Sequence, residues 1–112
     1  MNDEQEEDYV NDKQEVLFWE EAPGQRPQDF VRSDISRGKR AQLAAVLRRG
    51  TLGEAYKGIA NCRICRAPLG NADLHGWGFI WPQRAEHYVL EHDVWTLECD
   101  ALYAASVAEV PR

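Results

Sequence analysis

A chain of 112 residues with 44% hydrophobic residues, four Trp, four Tyr and three Phe has the material for one folded domain and too much apolar content to be disordered throughout. Its formal net charge of −6 argues against general polyanion binding. The longest run without a formal charge, Leu74–Gln83, is too short to span a bilayer and is broken by His75, Gly76, Gly78 and Pro82.

The charge is segregated. Residues 1–15 carry Asp3, Glu4, Glu6, Glu7, Asp8, Asp12 and Glu15 against Lys13 alone, and read as a disordered acidic arm. This start lacks the basic-then-apolar order of a secretory signal, so the expected location is the cytoplasm. Residues 32–66 are the opposite: nine Arg and Lys face only Asp34 and Glu54. The total therefore conceals a local basic field. Residues 16–112 read as a single domain.

Within that domain, Val16-Leu17-Phe18-Trp19 is a short apolar run, expected as a strand or as an anchor docked on the core. A helix is expected after Asp34 or Ser36, either of which can cap it. Leu43, Val46 and Leu47, with Arg40 or Ala44, then share a face, Arg48-Arg49 suit the negative end of the dipole, and Gly50 follows the cap. Residues 51–59 should run extended into a cysteine pair. Ala67-Pro68-Leu69-Gly70-Asn71-Ala72 reads as a turn. Trp77–Trp81 reads as a strand with Trp77, Phe79 and Trp81 on one face. Pro82 is expected in the first turn of a helix that spans Arg84 to His92. Val94-Trp95 is a connector with core contacts, and Thr96 or Asp100 can cap a last helix through Val107.

The chemistry concentrates between Cys62 and His92. The order is C-R-I-C, twenty-one residues, then H-Y-V-L-E-H. Two thiols two residues apart lie on one side of a tight backbone knuckle, with Arg63 and Arg66 favouring the thiolates. Cys62, Cys65, His87 and His92 supply the mixture of sulfur and imidazole that a four-coordinate structural Zn²⁺ takes. Spacing i, i+5 puts the two imidazoles about 140° apart on an ideal helix, so the helix end has to tighten or unwind near His92 for both to meet one ion. Asp93 can terminate the helix or accept an imidazole N–H. Other readings stay open: a redox pair at Cys62 and Cys65, ordinary surface histidines, or Cys99 or His75 in place of a ligand. The odd number of cysteines, two of them paired as C-x2-C, fits a reducing compartment better than a disulfide framework.

On these residues the chain resembles a two-Cys, two-His zinc finger. More loosely, over about residues 55–95, it is similar to a group of small uncharacterised bacterial proteins with a C-R-x-C knuckle, a W-P strand end and an H-Y-V-x-x-H helix. The finger resemblance implies Cys62, Cys65, His87 and His92 as ligands. It departs from the DNA-reading type in the long Cys-to-His spacing, in Arg84 where a leucine is expected, and in Glu86 and Glu91, which would meet phosphate unfavourably.

The expected fold is α+β: a small zinc-stabilised domain with a short antiparallel sheet, a Cys knuckle and a His-bearing helix, flanked by N- and C-terminal helices. The expected function is a structural zinc site in a protein-interaction or adaptor module. The alternative is a nucleic-acid-binding regulator using residues 32–66. A metal-dependent hydrolase or nuclease is a third reading, which a closed four-ligand shell disfavours. No nucleophile elbow or phosphate loop points to an enzyme.

Overall fold

The computed structural model describes residues 13–19 and 26–108. Most of the expected acidic arm lies outside these residues. Its last part does not: Gln14–Glu15 form strand β1. A 3-10 turn at Pro27–Phe30 leads to helix α1 (Arg37–Arg48). Strands β2 (Thr51–Asn61), β3 (Pro68–Gly76) and β4 (Phe79–Pro82) follow, then helices α2 (Glu86–His92) and α3 (Leu97–Ala108). The fold is α+β. The four strands lie in the order β1-β4-β3-β2, with β2-β3 and β3-β4 antiparallel and β1 parallel to β4. The sheet is thus mixed rather than purely antiparallel, because β1 joins it from a distant part of the chain.

Helix α1 starts where Ser36 Oγ accepts from the Lys39 amide at 3.0 Å, satisfying one of the free donors of the first turn. Its buried face is Arg40, Leu43, Ala44, Val46 and Leu47, and it packs on α2 and α3. Gly50 follows the helix for a steric reason. A Cβ there would lie 2.5 Å from the Trp81 ring. The Trp81 indole N–H donates at 3.0 Å to the Leu47 carbonyl, one of the acceptors that the helix end leaves open. Trp81 is fully buried and ties the sheet to α1.

The hairpins depart from the expected turns. Pro68–Gly76, with its Pro, Gly and Asn residues, is a strand, held on one side by β2 and on the other by β4. Trp77 and Gly78 are a two-residue turn, both at positive φ (53° and 84°), as a type I′ hairpin requires. Trp77 therefore leaves the face that Phe79 and Trp81 share. Pro82 is the last residue of β4, paired with Asp73, and not the first turn of a helix. Arg84 takes φ 62°, which no helix continues through, so α2 begins at Glu86.

The ends of the domain dock as anchors. Val16 and Leu17 are buried and belong to the same hydrophobic core cluster as Trp81, Tyr88 and Trp95. Val16 N–H donates to the Ile80 carbonyl at 2.9 Å. Val94 and Trp95 are buried, Thr96 Oγ1 accepts the Cys99 amide at 3.2 Å, and α3 is thereby capped. Replacing Gly50 with Ala is expected to lower stability by about 1–3 kcal/mol, because the methyl meets a buried ring that has no room to move. Urea denaturation checks this, and an unchanged midpoint would contradict it.

Candidate metal centre

The loop between β2 and β3 is the cysteine knuckle. Cys62 N–H donates to the Ala67 carbonyl at 2.8 Å, and Arg66 N–H donates to the Cys62 carbonyl at 2.9 Å. The turn closes only because Arg66 sits in the left-handed region, at φ 71°. Inside it, the amides of Ile64 and Cys65 point at Cys62 Sγ from 3.3 and 3.5 Å. These amides fix the sulfur's position inside the loop.

The histidines come from α2, and their spacing is resolved at its C-terminal turn. There the Asp93 amide donates to the Tyr88 carbonyl, five residues back rather than four. A bond of that span belongs to the wider π-type turn, in which residues five apart come closer to one face. Asp93 then adopts φ 59° and the helix stops. The two imidazole rings end up with centroids 5.0 Å apart. The helix therefore unwinds, one of the two ways in which both donors can be brought round.

Cys62, Cys65, His87 and His92 form a cluster whose ligand atoms all lie within 4.8 Å of one another. Cys65 Sγ and His87 Nε2 are 3.3 Å apart. Donor separations of about 3.3–3.8 Å are what a tetrahedron with bonds of roughly 2.0–2.3 Å demands, so a small contraction seats an ion. His92 Nε2 is buried and has no hydrogen-bond partner among the described residues. An imidazole nitrogen left so is costly unless something else occupies its lone pair. Burial, with the neighbouring His92, holds His87 below its usual pKa and so favours the neutral ring that ligates metal. The cluster is capable of coordinating a metal ion.

The other candidates lie elsewhere. Cys99 is buried in the core on α3, bonded with Thr96, and burial pushes its thiol up. His75 stands at the end of β3, opposite Ile80 and Thr51. Asp93 is engaged by Arg40, whose Nε lies 3.8 Å from its carboxylate. Glu86 pairs with Arg48 at 3.4 Å and so ties α2 to α1 just before His87.

Two residues that the spacing did not single out position the cluster. Tyr88, next to His87, accepts the Arg63 amide on its hydroxyl at 2.9 Å, joining α2 to the knuckle between the two cysteines. Burial pushes this phenol up to about 12, with the Cys62 sulfur adding to the shift, so it stays protonated at neutral pH. Trp19 packs edge-on against Tyr88, with centroids 5.8 Å apart, and its carbonyl accepts from Arg63 Nη2 at 3.1 Å. The signal was present in the H-Y pair, but nothing local says that the hydroxyl would find a knuckle amide twenty-five residues away.

Several basic residues of 32–66 are engaged within the domain. Arg32 pairs with Asp34, Lys39 with Asp100, and Arg48 with Glu86. Arg40 is buried, its guanidinium donating to the carbonyls of Ile35 and Arg32. Arg49 lies over the Trp77 ring.

No protein family, no curated protein and no solved structure matches the chain. What stands of the zinc-finger resemblance is the four-residue donor cluster itself. Replacing Tyr88 with Phe is expected to weaken metal binding about tenfold, since it frees a knuckle amide and loosens the orientation of the ligands. Competition with a chelating indicator checks this, and unchanged affinity would show that the hydroxyl does not position the site.

Proposed function

We propose that the protein is a zinc-binding module in which one Zn²⁺, held by Cys62, Cys65, His87 and His92, joins the β2-β3 hairpin to α2. The convergence of two sulfurs and two imidazoles, one with a buried unpartnered nitrogen, carries this reading. Mixed thiolate and imidazole donors in a tetrahedron suit zinc among the abundant divalent ions. Four protein donors complete the shell and leave no position for a reacting water, so the ion is structural and the module is not a hydrolase.

The role that fits a structural ion is to hold a surface for a protein partner. Leu52 and Ile59 on the edge strand β2 are 63% and 65% exposed, and Leu97 on α3 is 77% exposed. Exposed large apolar groups along a sheet edge favour contact with another polypeptide. The nucleic-acid reading that uses the whole of residues 32–66 is weakened by the ion pairs that occupy Arg32, Lys39 and Arg48 and by the burial of Arg40.

Zinc-finger peptides gain about 10–16 kcal/mol from their ion. A domain is worth only roughly 5–15 kcal/mol in all. Elemental analysis of the purified protein should therefore find one zinc per chain in the wild type and little in His92→Ala. EDTA should unfold at least residues 55–95. Metal-free wild-type protein with an unchanged melting curve would overturn the proposal.

A further inference from the structure

We propose that Cys65 is a site of oxidation by hydrogen peroxide, and that the disulfide it then forms with Cys62 expels the zinc ion and unties α2 from the hairpin. The inference rests on the zinc reading and adds to it a means of regulation. It begins from an asymmetry among the three thiols. Cys65 is exposed, whereas Cys62 and Cys99 are buried. Cys99 is bonded with Thr96 inside the core, and burial pushes its thiol up, which leaves it inert. A metal-bound thiol, by contrast, is deprotonated outright, and the thiolate is the form that attacks peroxide. A small oxidant arriving from solvent therefore finds Cys65 in reach, and Cys65 is one of the two sulfurs that hold the ion.

Cys62 is placed to complete the reaction. Its Sγ lies within 4.8 Å of Cys65 Sγ, and Cys99 is not part of this cluster. The two cysteines share one turn, closed by the Cys62 amide on the Ala67 carbonyl and the Arg66 amide on the Cys62 carbonyl. Asn61 Nδ2 adds a bond to the Arg66 carbonyl at 3.2 Å. These bonds use no sulfur, so the two thiols stay neighbours while the chemistry proceeds. The Cys65 thiolate attacks one peroxide oxygen, the O–O bond breaks, and hydroxide leaves to be protonated to water. Cys65 is then a sulfenic acid. The Cys62 thiolate attacks that sulfur, the S–S bond forms, and the S–O bond breaks with loss of a second hydroxide, also protonated. Two thiolates have lost two electrons, and one peroxide with two protons has become two waters.

The product and the ion exclude each other. A disulfide holds its sulfurs at about 2.05 Å, whereas a tetrahedral zinc keeps them roughly 3.3–3.8 Å apart. The two imidazoles that remain are half a shell. Without the ion the buried His92 Nε2 again lacks a partner, and α2, seven residues long, loses its tie to the knuckle. Oxidation thus does what a chelator does, and a thiol reductant reverses it by exchange.

The test exposes the zinc-loaded full chain to hydrogen peroxide beside a chromogenic zinc chelator too weak to strip the untreated protein. One zinc per chain should be released, with mass spectrometry placing a disulfide between Cys62 and Cys65 and leaving Cys99 reduced. Amide hydrogen exchange over residues 55–95 should rise as it does with EDTA, and dithiothreitol with added zinc should restore both. Cys99→Ala should release zinc at the wild-type rate. Elemental analysis before treatment separates the two readings: protein without zinc contradicts both, whereas zinc that stays bound through oxidation contradicts this one alone. A disulfide to Cys99, or zinc loss that dithiothreitol cannot reverse, would also overturn it.

Discussion

The two sulfurs lie on a hairpin loop and the two imidazoles on a helix, and nothing in either element alone brings them together. The Tyr88 hydroxyl does so, by accepting an amide from inside the knuckle while its ring is buried one residue from His87. Around that contact the rest of the domain is arranged. Trp19 covers Tyr88 on one side, and Glu86 fixes the start of α2 to α1 through Arg48. The end of α2 is fixed as firmly. The Asp93 carbonyl accepts the Arg32 amide at 2.9 Å, and its carboxylate faces the buried Arg40. The helix is only seven residues long, too short to stand without such contacts.

Arg40 shows how charge and burial part company in this chain. Its position on the α1 face with Leu43 and Leu47 is read from periodicity, but periodicity does not say what becomes of the guanidinium. The answer is a set of carbonyls that the loop before α1 turns inward, at Arg32 and Ile35. The residue thus serves as the link between that loop, α1 and the end of α2. Counting it as part of an external basic field misplaces it.

Much of the candidate site was legible because it is written in local spacing. C-x2-C specifies a knuckle, and H-x4-H at the end of a short helix specifies a pair of donors that meet only if the helix end tightens or unwinds. Helix α1 was legible too, from Ser36 and the apolar face behind it. The strands were less so. Pro68, Gly70 and Asn71 carry turn chemistry, yet β2 and β4 pair with this segment from both sides, and long-range pairing outweighs local preference. Trp77 misled for the converse reason: period-2 alternation extends two residues, Trp77 and Gly78, into a turn whose defining property is backbone φ. The parallel docking of β1 on β4 has no local signature at all.

Loading the protein with Co²⁺ tests the central claim most directly, because the absorption of bound Co²⁺ reports geometry and ligand type together. The account predicts strong visible bands of a tetrahedral site with thiolate-to-cobalt charge transfer from two sulfurs, retained in Cys99→Ala and His75→Ala. Weak octahedral bands, or a tetrahedral spectrum that disappears with Cys99, would contradict the assignment of Cys62, Cys65, His87 and His92 as the metal centre.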